Sequence, residues 1–144
     1  MTFHIDRGNW RADPVNAVAG SATIRANRGR RACLAGAMAE DGVARHLEAR
    51  GMRVIARRWR GRAGEIDLIL RDGACVVFVE VKQAATHAEA GLRLRRPQMD
   101  RICAAASEYC GTLPQGLLTE MRLDVALVDA AGRIEMIDNA FAEA

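Results

Sequence analysis

Two stretches of the chain carry apolar residues at helical spacing. In the first, steps of four and three residues predict a helix over residues 33–50, with Gly51 as a C-terminal stop. One polar residue, Glu40, falls inside this apolar stripe. In the second, Pro97 suits a first helical turn and an apolar stripe follows it. The stripes consist of Cys33, Ala37, Ala44 and Leu47 in the first helix and of Met99, Ile102, Cys103, Ala106 and Tyr109 in the second.

Five shorter segments are rich in Val, Ile and Leu and are bounded by turn residues, as is typical of strands. Three precede the second helix, at residues 52–60, 65–70 and 75–82, and two follow it, at 121–129 and 133–138. Residues 83–92 lack periodicity and are predicted to form a loop. In the order α-β-β-β-α-β-β the second helix serves as a right-handed crossover, so that the next strand joins in parallel. We therefore predict an α/β fold, a restriction-endonuclease-like mixed β-sheet of about five strands flanked by helices.

Composition separates a basic N-terminal arm from a folded domain. Residues 1–32 lack clean periodicity, so we expect a disordered arm before a single domain over residues 33–144. Hydrophobic residues make up 50% of the 144 residues, which excludes a wholly disordered chain. The N-terminus lacks the apolar segment of a secretory signal, no apolar run approaches a membrane span, and the Cys residues form no C-x-x-C pair. These features predict a soluble cytoplasmic protein without a membrane partner.

Basic residues are concentrated in blocks, although the formal net charge is only +3. All but one of the 21 basic residues are Arg, and the exception is Lys82. Two Arg-rich blocks could follow a nucleic-acid backbone, and a solvated charged face is the alternative for each. The residues predicted to bind nucleic acid are Arg57, Arg58, Arg60, Arg62, Arg93, Arg95 and Arg96.

The dipeptide Asp-Gly at 72–73 is the strongest hairpin signal in the chain. With this dipeptide at the centre of a two-residue turn, counting along both strands places Asp67 opposite Phe78 and makes Asp67 a diagonal neighbour of Glu80. Alternation then divides the side chains between two faces. One face carries Glu65, Asp67, Glu80 and Lys82, and the other carries Ile66, Leu68, Leu70, Val77, Val79 and Val81.

Three carboxylates on one face of a strand pair repel one another, and a divalent cation is an economical compensation. Oxygen ligands favour a hard ion, Mg²⁺ or Mn²⁺. The carboxylate of Glu40 also needs a partner inside its apolar stripe, either the same ion or an Arg of the basic strand. The alternative for Asp67 and Glu80 is an exposed hairpin face. For Glu65 it is a structural salt bridge or a contact to Arg62.

Similarity to a known family is carried by four runs between Gly36 and Phe141. They are AEDGVARHLEARGMRVIARRWRGRAGEIDLI, VVFVEVK, MRLDVALVD and IDNAF, and they resemble the YraN-like uncharacterised family. That family is similar to archaeal Holliday-junction resolvases within the PD-(D/E)xK restriction-endonuclease-like superfamily, whose core is a mixed sheet flanked by helices. This chain departs from the family pattern at Ala39, where Gly is usual, and at Ala84, where Arg is common.

The resemblance implies a metal-dependent DNA endonuclease that selects branched DNA such as Holliday junctions. By resemblance, Asp67 is the metal-binding Asp, Glu80 and Lys82 form the ExK pair, and Glu40 is the acidic residue of the first helix. Mg²⁺ or Mn²⁺ held by Asp67, Glu80, the Val81 carbonyl and Glu40 would lower the pKa of an attacking water, which Lys82 would orient.

The sequence also suggests a substrate contact, a homodimer and two alternative functions. His87 follows the ExK pair and could touch the substrate, and two strands to cut suit a homodimer. A non-catalytic nucleic-acid-binding or scaffold module on the same fold is an alternative to the enzyme. An interaction protein recruited through its acidic C-terminal strands is another.

Overall fold

One five-stranded sheet organises the fold of the computed structural model, which describes residues 14–140, with side chains from residue 28 onward. The strands lie side by side in the order in which they occur in the sequence. The elements are α1 (Pro14–Ala49), β1 (Arg53–Arg60), β2 (Glu65–Asp72), β3 (Cys75–Gln83), α2 (His87–Leu92), α3 (Arg96–Cys110), a 3-10 turn (Gly116–Leu118), β4 (Met121–Val128) and β5 (Ile134–Ile137). The chain divides into two units, Met1–Ala37 and Met38–Ala144, and the sheet lies in the second.

The predicted α/β class with a mixed five-stranded sheet is confirmed. β1–β2, β2–β3 and β4–β5 pair antiparallel, whereas β3 and β4 pair in parallel. A parallel pair needs a long crossover connection, and the segment containing α2 and α3 supplies it. All five predicted strands lie within two residues of the observed bounds at either end.

Two predictions of secondary structure are wrong: where the first helix begins, and the loop over residues 83–92. The first helix begins at Pro14 and not near Cys33, because Pro suits a first helical position and the segment is rich in the good helix formers Ala and Arg. Residues 14–32 of the predicted arm are therefore helical, while residues 1–13 lie outside the described residues. The predicted loop over residues 83–92 contains α2, whose first turn is capped by the Thr86 hydroxyl accepting from the Glu89 amide at 3.2 Å. The domain limits stay a prediction.

Apolar side chains cover both faces of the sheet. On one face, Val43 and Leu47 of α1 pack into a cluster with sheet residues that include Leu68 and Val79. On the other face, α3 packs against residues of β2, β3 and β4. Burial on both faces explains why β3 is an almost continuous apolar run, in which the charged residues at the C-terminal end stand out.

The β2–β3 register differs from the predicted one by two residues. The structure pairs Asp72 with Cys75 and Ile69 with Phe78, so the predicted pairing of Asp67 with Phe78 is wrong. The turn is centred on Gly73 and Ala74 because the positive φ of 61° falls on the first central position, where a type II′ turn requires it. A shift of two residues does not by itself move a side chain to the other face.

A local irregularity interrupts β1 and β2 at the same level. Ile66 and Ile69 both belong to the core on the α3 side, whereas Leu68 belongs to the core on the α1 side. The prediction that Ile66 and Leu68 share a face is therefore wrong. On β1 the residue at this level, Arg58, has a φ of 48°. Alternation is thus broken next to Asp67.

A buried carboxylate joins β4 to the segment after β5. Asp124 is 1% exposed, and its two oxygens accept from Nε of Arg122 at 2.9 and 3.1 Å. The backbone N–H of Asn139 donates to Asp124 Oδ1 at 2.8 Å. These contacts satisfy the charge of Asp124 inside the protein, as a buried carboxylate requires.

Candidate metal-binding site

Asp67 of β2 meets Glu80 and Lys82 of β3 where the main-chain pairing of the hairpin ends. The last paired residues are Leu68 and Val79, and one further step of the same register places Asp67 opposite Glu80. Asp67 Oδ2 accepts from the Val81 N–H at 2.8 Å, so a carboxylate takes the place of a main-chain acceptor. The structure thus brings together three of the residues that the sequence singles out.

The lysine of this cluster contacts the more buried carboxyl group. Lys82 Nζ lies 3.1 Å from Oε1 of Glu80, whose residue is 6% exposed. The ammonium of Lys82 has flexible donors, one of which fits beside this carboxylate oxygen. Lys82 therefore offsets part of the negative charge of the site.

Burial makes both carboxyl groups hard to ionise. Burial, followed by the charge of Asp67, raises the pKa of Glu80 from 4.5 to about 7, against the lowering effect of Lys82. Burial also raises the pKa of Asp67, although the Val81 N–H opposes this shift. Two buried acids whose charged forms are both disfavoured form a site that would gain from a cation.

Gln98 of α3 also belongs to the site and was missed in the sequence. Its Nε2 donates to Glu80 Oε1 at 2.9 Å, so this oxygen receives both the amide and the Lys82 ammonium. Gln98 lies four residues before the buried Ile102, on the helix face that packs against the sheet. Its four-residue spacing from Ile102 could have identified Gln98, because a polar residue on the buried face of a helix needs a polar partner.

The ligand atoms that the site offers are oxygens, which hard cations prefer. Val81 donates its N–H toward β2, and its carbonyl points to the same side because both groups of a strand residue face one neighbour. Two carboxylates and a carbonyl, completed by water, fit Mg²⁺ or Mn²⁺. Over the described part of the chain, no group of three or more His, Cys, Asp or Glu side chains is arranged to hold a metal ion.

Glu40 is linked to this cluster through Arg58, on which the charges of both Glu40 and Asp67 act. Its carboxylate accepts from Nε of Arg58 at 3.0 Å, and its side chain is 16% exposed. The glutamate raises the pKa of Arg58, with smaller contributions from Glu65 and Asp67. The alternative noted for Glu40, an ion pair with the Arg-rich strand, is therefore present, and its metal role stays a prediction.

Most of the arginines predicted to bind nucleic acid have partners within the chain. Arg57 pairs with Asp41, Arg60 Nη2 lies 3.1 Å from Glu65 Oε2, and Arg96 Nε lies 3.3 Å from Asp100 Oδ1. Arg60, and not Arg62, is thus the ion-pair partner of Glu65.

The remaining three arginines form no ion pair with an acidic side chain in the described part of the chain. Arg93 donates to the Gln83 carbonyl at 2.8 Å, and Arg95 precedes α3 as its N-cap residue. The backbone N–H of Arg62 donates to both oxygens of Glu108 at 2.9 and 3.0 Å. The carboxylate of Glu108 thereby holds the loop before β2.

His87 contacts the β5 side of the sheet. Its Nε2 lies 2.8 Å from the Arg133 carbonyl oxygen and its Nδ1 lies 3.2 Å from Glu135 Oε2. Its two ring nitrogens are engaged there, and the structure shows no contact between His87 and the carboxyl cluster. The predicted substrate contact of His87 stays a prediction.

The raised pKa of Glu80 predicts an unusual pH dependence of the metal-free protein. Between 4.5 and about 7 the folded protein holds a proton on Glu80 that the unfolded chain releases. The free energy of unfolding should therefore fall as the pH rises through this window, by about 2 kcal/mol. Asp67, Lys82 and Gln98 are the groups that face Glu80: Asp67 raises its pKa, whereas Lys82 and the amide of Gln98 donate to its carboxylate and oppose the shift.

Urea unfolding with EDTA at pH 5 and pH 8 measures this difference. Glu80→Gln should remove most of it, since an amide does not titrate. A wild-type difference no larger than that of Glu80→Gln would contradict the assignment.

Comparison with known proteins identifies the family. Uncharacterised protein family UPF0102 matches residues 39–128. A UPF0102 protein of Cereibacter sphaeroides (strain KD131) is 59% identical over 108 residues, which cover 75% of this chain and 92% of the relative. A UPF0102 protein of Ruegeria pomeroyi is 55% identical over 116 residues, 81% of this chain and 94% of the relative. None of the helices in the described residues is both long enough and apolar enough to cross a membrane. The chain belongs to the uncharacterised protein family UPF0102, the YraN-like family that its motifs resemble.

Proposed function

We propose that the protein is a metal-dependent nuclease that hydrolyses phosphodiester bonds of DNA. The observation that carries this proposal is the meeting of Asp67, Glu80 and Lys82 at the end of the β2–β3 hairpin. Two carboxylates that resist ionisation beside each other, with an ammonium next to them, suit a divalent cation and a phosphate.

Each residue of the site would have its own role in hydrolysis. Asp67, Glu80 and the Val81 carbonyl would hold Mg²⁺ or Mn²⁺, which supplies charge stabilisation and a more acidic water. Lys82 Nζ can donate to the attacking water and offset negative charge on the phosphate oxygens. Gln98 and Lys82 both donate to Oε1 of Glu80, which holds this carboxyl group in place beside Asp67. Glu40 would become a further metal ligand if its ion pair with Arg58 were broken.

Basic residues outside the ion pairs would carry part of the DNA contact. Arg53 and Arg71 stand directly opposite each other in the β1–β2 register. Neither forms an ion pair or a side-chain hydrogen bond within the described part of the chain. Like charges placed in this way favour an anion, such as a backbone phosphate, between them. The paired arginines would reach phosphate only by exchanging their partners.

Branched DNA is the substrate class that the resemblance to archaeal Holliday-junction resolvases favours. A four-way junction presents two equivalent strands, so a homodimer with two sites related by a two-fold axis would match it. Both the branched substrate and the homodimer are parts of the proposal.

Cleavage of labelled four-way junctions, duplex and single strands tests the proposal. We expect cleavage with Mg²⁺ or Mn²⁺ and none with EDTA, with the four-way junction cut fastest. Lys82→Gln, purified in parallel, is the control for contaminating nuclease and should be slower by about a hundredfold or more. Equal rates for the wild type and Lys82→Gln would refute the enzyme.

A non-catalytic DNA-binding module is a second candidate, and the engagement of Glu40 by Arg58 favours it. Where the guanidinium of Arg58 already balances the charge of Glu40, that carboxylate does not need a metal ion. This function predicts DNA binding that weakens steeply with salt and no cleavage under any metal condition.

A further inference from the structure

Arg58 has a backbone conformation that the rest of β1 does not share. Its φ of 48° lies in the left-handed region, which is uncommon for a residue with a side chain. Adjacent residues of a strand normally point to opposite faces. Arg57 and Arg58 nevertheless both reach α1, where they pair with Asp41 and Glu40. The left-handed backbone at Arg58 accounts for this exception.

The guanidinium of Arg58 is placed among the acidic residues of the site. Its Nε lies 3.0 Å from Glu40 Oε2, and the charges of Glu65 and Asp67 also act on it. Its side chain is 53% exposed, so water screens the ion pair and the partners can exchange. Arg58 is thus a water-screened cation next to a candidate cation site.

We propose that Arg58 is a built-in counter-ion of this site, which a divalent cation must displace, so that Arg58 weakens metal binding. This inference rests on the proposed function, because it concerns the same carboxylates. Displacement would free Glu40 to turn toward the metal, and it would release Arg58 for a phosphate oxygen of the substrate. Metal and DNA would then strengthen each other's binding.

An ordinary surface ion pair would not need this backbone. Arg57 forms such a pair one residue earlier, with the next acidic residue of α1. The two pairs therefore offer a matched comparison, in which removing either arginine deletes one positive charge. Of the two arginines, only Arg58 carries the left-handed backbone, and the charge of Asp67 acts on it.

Calorimetric titration of the full chain with Mn²⁺, without DNA, tests the inference. Arg58→Asn removes the charge and keeps a residue type that tolerates the left-handed region. We expect the Kd for Mn²⁺ to fall about two- to fivefold in Arg58→Asn and to stay within error in Arg57→Gln. The gap should shrink as NaCl rises from about 0.05 to 0.5 M, because salt screens exposed charges.

Three results would overturn the inference. An unchanged or weaker affinity of Arg58→Asn, with Mn²⁺ bound by the wild type, would remove the counter-ion role and leave the metal site intact. Equal tightening in Arg57→Gln would reduce the effect to net charge. No Mn²⁺ binding by any of the three proteins, all shown to be folded by thermal melting, would remove the metal site and this inference together.

Discussion

Asp67→Asn is expected to abolish cleavage and at the same time to stabilise the metal-free protein. The substitution keeps the size of the side chain and an oxygen for the Val81 N–H. It removes a negative charge that would hold the metal, so the cleavage rate should fall by about a thousandfold. It also removes the repulsion that Glu80 experiences, so unfolding should require about 0.5–1 kcal/mol more at pH 8.

Single-turnover cleavage and urea unfolding in EDTA measure the two effects. Asp72→Asn is the matched control, since it makes the same change in an exposed residue at the turn of the same hairpin. This control should keep the wild-type rate and the wild-type stability. Loss of stability in Asp67→Asn would show that Asp67 mainly serves the fold, through its hydrogen bond to Val81.

Arg122→Met is expected to produce the largest loss of stability among single changes at the charged residues. Asp124 would keep the Asn139 N–H but lose the guanidinium that contacts both of its oxygens. Removing one partner of a buried ion pair costs about 3 kcal/mol, because the remaining charge stays in a medium of low polarity. Methionine retains the apolar stem, so the loss reports on the charge and not on packing.

Urea unfolding at pH 7 gives this difference in free energy. Arg133→Met is the control, because Arg133 is highly exposed and its Nε lies 3.9 Å from Asp129. It should change stability by less than about 0.5 kcal/mol. The double variant Arg122→Met/Asp124→Leu should recover much of the loss, since no buried charge remains. A loss below about 1 kcal/mol in Arg122→Met would show that water already reaches Asp124.

The strands and their order could be predicted because apolar runs and turn residues mark them directly. The hairpin register was misplaced by two residues, since either of two adjacent turn centres fits the letters DG and only the conformation of Gly73 decides between them. The error put Asp67 diagonal to Glu80 instead of directly opposite it, and the two residues stayed neighbours because side chains in a strand repeat every two residues.

The parts of the site that could not be predicted depend on contacts between distant elements. Gln98 reaches Glu80 from a helix, and the docking angle of that helix has no signature in a single sequence. The conformation of Arg58 was equally hidden, because arginine does not favour a positive φ. Long arginine side chains also have many acids within reach, so the pairs they form could not be read from spacing.

The parallel pairing of β3 and β4 has a consequence for how the protein folds. β1, β2 and β3 follow one another through short connections, whereas β4 reaches β3 only after α2 and α3. Closing that long segment costs more conformational entropy than closing a hairpin, and non-local pairings of this kind slow folding. Asp67, Glu80 and Lys82 therefore lie on a hairpin with a short connection, whereas Gln98 lies on the long segment between β3 and β4, so we expect Gln98 to join the other three after the hairpin has formed.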